Sequence, residues 1–328
     1  MRRREFIAVL AAVIAGARLL LPARAQTRNI RRIGVIYHGG AYDVNIDGLR
    51  EGLRANGLEE GRHVALLLRN SQGGDVAAAE AAARALERDE KVDVMVAIGT
   101  SAARAAKRAT AQVPIVFTAG ADPVAAGIVD SIATPSGRLT GVHFLTADLT
   151  AKRLEVLREI VPKLRRVVIF YNPGNRTAVS ALEVTQQAAL KLGIAVAAHR
   201  VTSPQEIRDR LRTLKGGDAE AYFFMNDALI TSHAALIVEA ANALGLPSMA
   251  HELGVVRSGA LAGYGPDFRA VGRRTASYVA RILAGSPPRD LPVEAIEQPA
   301  LVINLKTAKA IGLDIPPLLL TRADEVIE

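Results

Sequence analysis

Residues 31–37 (RRIGVIY) and 165–171 (RRVVIFY) carry one pattern twice: a basic pair, an apolar run and a closing tyrosine, 134 residues apart. Apolar runs this continuous are buried on both faces, the condition of strands in parallel sheets covered by helices. A second copy at such a distance points to an internal duplication, with a sheet for each copy. The segments behind the two copies keep the same rhythm. After the first come a helix with Ile46, Leu49 and Leu53 at helical spacing, strands at 63–68, 92–98 and 114–118, and Ala-rich helices at 76–88 and 101–110. After the second come a helix at 177–192, a strand at 194–201, a helix at 204–214, a strand at 221–225, a helix at 231–244 and a strand at 247–251. Short β-branched runs alternating with helical patterns indicate parallel sheets with crossover helices. The expected fold class is α/β, two Rossmann-like lobes with parallel sheets.

Three extended segments read as passages between the lobes: 139–145 (LTGVHFL), 260–265 (ALAGYG) and 293–303. A helix at 267–284 separates the second from the third, and Gly285 takes the usual C′ place behind it. The Pro-rich stretch 286–292 is then a surface connection. This divides the chain into a first lobe of residues 30–143 plus about 266–290, and a second of 144–265 plus about 291–328. A three-segment hinge makes closure a rotation of rigid bodies. Ser203-Pro204-Gln205-Glu206 marks one helix start, because Ser caps, Pro suits the first helical position and Glu completes a capping box.

Ahead of the first copy, Arg2, Arg3 and Arg4 precede an apolar run at 6–17 and then Ala23-Arg24-Ala25. This reads as a secretory signal peptide over residues 1–25, cut near Ala25. The run is shorter than the roughly 20 residues a membrane span needs. Arg3-Arg4-Glu5-Phe6-Ile7 fits twin-arginine export as well as the ordinary route. Either route leads to the periplasm; the competing reading is a buried N-terminal helix. Without residues 1–25 the formal charge falls from +8 to +4. The remaining basic residues are scattered and not interleaved with aromatics, so no nucleic-acid partner is expected. The roughly 300 residues that remain exceed what one hydrophobic core organises. There is no cysteine, so the exported chain is held by its core alone and no lipid anchor is expected near the cut.

No catalytic motif is found. G-x-G-x-x-G after a strand, G-x-x-x-x-G-K and G-x-S-x-G are all missing. His251-Glu252 opens like a zinc-protease helix, but Val255 stands where the second ligand belongs. The six histidines show no metal-ligand spacing, and neither enzyme chemistry nor a cofactor or metal is expected. Polar and small residues do collect where strands end and helices begin, the place where open α/β sheets bind ligands. Tyr37, His38 and Gly39 follow the first strand, Thr100 and Ser101 the third, Gly120 and Asp122 the fourth, and Asn226 and Asp227 the corresponding strand of the second copy. Thr100 and Ser101 either cap their own helix or hold a carboxylate with hydroxyl and N–H donors, and the two roles are compatible. Asp122, before Pro123, is either a cap or an acceptor for an ammonium group. Tyr264, between Gly263 and Gly265, either closes over a ligand or marks a hinge. Without Trp and with 4% aromatic residues, a sugar stacked on rings is less expected than an amino acid or carboxylate.

The sequence resembles the ABC transporter substrate-binding protein family, with its tryptophan- and tyrosine-binding members. The resemblance is carried end to end by the Arg-Arg-Glu-Phe-Ile leader, Pro114-Ile115-Val116-Phe117 leading to Asp122-Pro123-Val124, Leu139-Thr140-Gly141-Val142, and Ala151-Lys152-Arg153-Leu154-Glu155. Gly263-Tyr264-Gly265 adds to it, as do residues 301–309 (LVINLKTAK) and 322–328 (RADEVIE). It implies a type I periplasmic-binding fold, a cleft between two lobes, and capture of an amino acid or an aromatic or carboxylate compound for an ABC permease in the inner membrane. The family's cleft loops fall on Tyr37 to Ala41, Thr100-Ser101, Gly120 to Asp122, Asn226-Asp227 and Tyr264. Members usually show Ser and Pro in the first loop, where this chain has His38-Gly39-Gly40-Ala41. The alternatives are an extracytoplasmic α/β enzyme or a ligand-sensing protein using the same cleft.

Overall fold

In β1 (Arg31–Tyr37) the side chains divide by parity: Ile33 and Val35 enter one hydrophobic cluster and Ile36 the cluster on the opposite face, all fully buried. β6 (Arg166–Tyr171) repeats the division, Val167 and Ile169 to one side, Val168 and Phe170 to the other. Each strand is therefore central in a sheet covered on both faces, as its unbroken apolar run requires. The computed structural model describes residues 30–71, 75–144, 148–296 and 299–328. The leader expected at 1–25 and the end of the 139–145 segment at Leu145 lie outside these residues.

The first sheet comprises β1, β2 (Val64–Asn70), β3 (Val94–Ile98), β4 (Ile115–Ala119), β5 (Leu139–His143) and β11 (Glu294–Ala295), ordered β11-β5-β4-β3-β1-β2 with every pairing parallel. The second comprises β6, β7 (Ala195–Arg200), β8 (Ala221–Phe223), β9 (Ser248–Ala250), β10 (Ala262–Gly265), β12 (Ala300–Asn304) and β13 (Glu325–Ile327), ordered β13-β12-β10-β9-β8-β6-β7. Only β10 and β12 pair antiparallel. The cores β2-β1-β3-β4-β5 and β7-β6-β8-β9-β10 have one topology, so the duplicated pattern is a duplicated sheet. In both, the order reverses beside the founding strand, and that switch point opens a crevice at the strands' C-terminal ends.

The helices are α1 (Asp43–Ala55), α2 (Val76–Arg88) and α3 (Thr100–Ala109) in the first half. In the second half they are α4 (Asp148–Ile160), α5 (Arg176–Leu192), α6 (Pro204–Thr213), α7 (Ala228–Ser232), α8 (Ala234–Ala243) and α9 (Leu253–Arg257). α10 (Phe268–Leu283), capped by Asp267, returns to pack on α1, and α11 (Leu305–Ala310) and α12 (Pro317–Arg322) follow β12. At α6, Ser203 Oγ accepts from Glu206 N at 3.2 Å, but Glu206 reaches back to Thr202 N at 2.8 Å instead of to its own cap residue.

The structure departs from the sequence reading at two places. The single helix expected at 231–244 begins earlier and breaks at His233, because Ser232 Oγ and His233 Nδ1 both engage the Leu229 carbonyl at the end of α7. The segment expected to cross at 293–303 is two strands: Glu294 and Ala295 pair with Val142 and His143 in the first sheet, and the passage comes after them. The stretch after 290, expected in the second lobe, therefore begins with a strand of the first sheet.

The N-cap of α9 is a fully buried carboxyl group. Glu252 accepts from Gly254 N at 3.1 Å and Val255 N at 2.9 Å, yet burial pushes its carboxyl up to about 8. An acid with a native value above its unfolded one keeps its proton in the fold while the unfolded chain ionises. Stability is therefore fully present below about 4.5 and is lost progressively as pH rises to about 8. Glu252→Gln retains an acceptor for the helix end and removes that ionisation. Melting temperatures between pH 5 and 8 are expected to fall with pH more steeply in the wild type than in Glu252→Gln, and parallel curves would refute the assignment.

Candidate functional site

The crevice forms where β1, β3 and β4 of one lobe face β6 and β8 of the other. Its inner cavity encloses about 30 Å³, lined by His38, Tyr42, Asn45, Thr118, Phe144 and Phe268 from the first lobe with Asn175, Asn226 and Ala228 from the second, and by Gly99, Thr100, Ser101 and Gly120. A larger outer cavity of about 450 Å³ adjoins it and shares Thr100, Ser101, Asn175 and Ala228. The lobes are in contact around it. A β carbon on Gly40 would stand 2.3 Å from the Ser232 carbonyl oxygen, and Asn226 Nδ2 lies 3.5 Å from Gly120 O. Tyr42 faces Thr231 across the gap, and Thr231 Oγ1 lies 3.1 Å from His251 Nε2.

His38 organises the polar wall. Ser71 Oγ donates to Tyr37 O at 3.0 Å, so it receives the His38 Nδ1–H at 2.8 Å, and His38 Nε2 accepts from Ser101 Oγ at 3.0 Å. That network assigns the tautomer. Burial lowers the imidazole to about 4, so it is neutral around pH 7. The pairing of Ser101 with His38 has the outline of a nucleophile and base, but a base held that low abstracts a proton poorly, and its other partner is a serine where hydrolases place a carboxylate. The pair instead orients Ser101, whose oxygen lone pairs remain to accept.

α3 begins without a side-chain cap. Its N-cap is Gly99, with φ of 102°, which has no side chain to offer the first-turn N–H groups. Thr100 and Ser101 do not fill that role for their own helix, so the α3 end presents N–H donors and a partial positive charge to the cavities. The outer cavity adds Arg104 and Arg108 from α3 and Arg176 from the start of α5. Arg108 is tied to Glu80 at 2.7 Å, while Arg104 and Arg176 form no ion pair among the described residues. Among the described lining residues the one acid opposing them is Asp227, 1% exposed, whose Oδ1 accepts from Leu229 N and Ile230 N and whose Oδ2 accepts from Asn175 Nδ2 at 3.0 Å. Burial raises its carboxyl, and those hydrogen bonds pull the other way.

Of the residues singled out from sequence, His38, Thr100, Ser101, Gly120, Asn226 and Asp227 meet at the two cavities. Tyr37 and Gly39 flank His38 without lining either, and Tyr37 packs on the first-lobe core. Asp122 is exposed and caps a turn through Val124 N at 2.8 Å and Ala125 N at 3.0 Å. Tyr264 packs on the second-lobe core, away from both cavities. Sequence reasoning missed Tyr42, Asn45, Phe144 and Phe268 in the inner cavity and the arginines in the outer one. Tyr42 and Phe268 stack with centroids 5.4 Å apart, and Phe144 tilts against Phe268 at 5.5 Å. A polar Asn45 beside the Ile46-Leu49-Leu53 stripe was the one signal that could have exposed this wall.

The sequence matches the family described as ABC transporter substrate binding protein over residues 31–327. A tyrosine-binding protein of Clostridioides difficile is 29% identical over 267 residues, covering 81% of this chain and 76% of the relative. Among solved structures, an ABC domain from Streptococcus pneumonia in complex with L-Trp superposes with a TM-score of 0.79 at 25% identity, covering 91% of this chain and 100% of that one. A ligand-free, open substrate binding protein with adhesive properties from Clostridium difficile reaches only 0.60 at 27% identity, covering 91% and 99%. In the present conformer the two lobes meet backbone to backbone at Gly40 and Ser232. The fold is that of type I periplasmic binding proteins, two Rossmann-like lobes about a cleft. With a match that spans nearly its whole length, the chain belongs to the ABC transporter substrate binding protein family.

Proposed function

We propose that this protein captures a small carboxylate-bearing solute of the amino-acid or aromatic-acid kind in its interlobe cleft, outside the inner membrane, and delivers it to the permease of an ABC importer. Members of the family are substrate-binding proteins rather than enzymes, and the family works outside the cytoplasm. No helix among the described residues is long and apolar enough to cross a membrane. The basic and apolar leader with its Ala23-Arg24-Ala25 site supports export to the periplasm with a cut near Ala25. One lobe is taken as residues 30–143 with about 266–296 and the other as the remainder, so that closure swings the two about three connections.

The observation that carries the reading is the outer cavity, where an uncapped helix end and two arginines that form no ion pair among the described residues, one from each lobe, converge on one space. A carboxylate placed there satisfies N–H donors and draws Arg104 and Arg176 together, so it favours the closed state by binding it better than the open one. Both the relative and the neighbour named for amino acids, tyrosine and L-Trp, fit this chemistry. A thermal-shift screen of amino acids, aromatic acids and sugars tests it, because a ligand at 100 times its Kd adds about 2.7 kcal/mol. Carboxylates are expected to raise the melting temperature; stabilisation by sugars alone would dismiss the reading. In the double variant Arg104→Ala/Arg176→Ala, carboxylate affinity is expected to drop about 10- to 100-fold and to lose its sensitivity to salt.

A further inference from the structure

Asn45 is the polar group in the inner cavity that the fold itself leaves unexplained. It stands in the first turn of α1, is 1% exposed, and neither Oδ1 nor Nδ2 has a hydrogen-bond partner among the described residues. A buried carboxamide unmet at both ends is rare in native proteins and calls for a cause. Its surroundings offer none. Phe144 and Phe268 are apolar, Thr118 Oγ1 accepts from Gly99 N, and both ring nitrogens of His38 belong to the relay between Ser71 and Ser101. The large buried side chains elsewhere on α1, Ile46, Leu49 and Leu53, are aliphatic, so the helix needs no amide to pack.

We infer that Asn45 reads the head group of the ligand, a hydroxyl or carboxamide that both donates and accepts, while the carboxylate end lies in the outer cavity among Arg104, Arg176 and the α3 terminus. The dimensions agree. About 30 Å³ with the lobes in contact is room for a group of that size, and the 450 Å³ outside takes the body of the molecule. The inference deepens the proposed function and rests on it. Its chemical content is separate: a carboxylate with a donor–acceptor head is preferred over the same carboxylate without one.

Calorimetric titration of the mature protein with L-tyrosine beside L-phenylalanine, and with L-glutamine beside L-norvaline, isolates the head group. The wild type is expected to bind the headed member of at least one pair roughly 10- to 100-fold more tightly. In Asn45→Leu that ratio is expected to shrink to within about threefold, and the melting temperature of the ligand-free protein to rise by a few degrees, since an unmet amide has been replaced by an apolar group of similar volume. Asn45→Ala, which cannot overfill the cavity, should lose the ratio likewise. A merely structural Asn45 predicts the reverse, a lower melting temperature with discrimination intact. Equal wild-type affinity within each pair that binds, or a ratio that survives in both variants, overturns the inference and leaves the carboxylate reading standing. No binding of any of the four overturns the inference, and the broader screen then decides the carboxylate reading by itself.

Discussion

Replacement of Gly40 by alanine is expected to weaken ligand binding about 100-fold while leaving the melting temperature of the ligand-free protein within a few degrees of wild type. Gly40 has φ of +63°, a conformation that costs an L-residue about 1–2 kcal/mol. Its larger role is positional. The added β carbon would meet the Ser232 carbonyl oxygen at 2.3 Å and its carbonyl and α carbons at 2.7 Å, all backbone of the opposite lobe. No rotamer relieves such a contact; only withdrawal of one lobe from the other does. The open state does not make it, so the substitution acts on the closed fraction, and apparent affinity falls in proportion to that fraction. Gly57→Ala is the control: φ is +75°, with nothing within 4 Å of its β carbon, so it shares the backbone cost and not the interlobe clash. Wild-type affinity in Gly40→Ala would mean that binding does not require this closure.

Closure matters here because neither lobe holds the inner cavity alone. His38, Tyr42, Asn45 and Phe268 come from one side, and Asn175, Asn226 and Ala228 from the other. Opening exposes both halves to water; closing surrounds a ligand with groups already held by their own lobe. Asp227 is fixed by the α7 N–H groups and Asn175, Ser101 by His38. Such preorganisation lowers the ordering cost that a ligand must offset.

The duplicated sheet was legible because it is written in local pattern. The apolar runs at β1 and β6 dictate two-sided burial whatever surrounds them, and small polar residues at strand ends pointed to His38, Ser101, Asn226 and Asp227 for the same topological reason. Asp122 and Tyr264 show the limit of that logic. A strand-end Asp before Pro reads alike as a cap or a ligand group, and only the acceptor geometry to Val124 and Ala125 displays the capping. Tyr42, Phe144 and Phe268 were missed because they meet through long-range packing: a turn after β1, the exit of β5 and the start of α10 are brought together by the chain's return to the first lobe. The third passage was misplaced because two-residue β11 is too short to carry a pattern.

That return of α10 sets up the substitution with the largest expected effect on stability. Where α1 and α10 cross, backbone meets backbone through three glycines. A β carbon at Gly272 would lie 2.1 Å from Asn45 O and 2.8 Å from Leu49 N, one at Gly48 would lie 2.0 Å from Arg269 O, and one at Gly52 would lie 2.7 Å from Arg273 O. Within a helix, Gly→Ala ordinarily stabilises by nearly 1 kcal/mol. Gly272→Ala must forfeit that gain and force the helices apart, loosening Ile46, Leu49, Val271 and Ala276 in the core beneath. A net loss of about 3 kcal/mol is expected, a drop of roughly 6–12 °C in melting temperature. Gly216→Ala, with its nearest neighbour at 3.8 Å, should change little. Because α1 carries Asn45 and α10 opens with Phe268, the separation also widens the inner cavity. Ligand affinity should therefore fall in Gly272→Ala even at temperatures where the protein remains folded, and a melting temperature within 2 °C of wild type would show that the crossing tolerates a methyl group and does not set the spacing of the site.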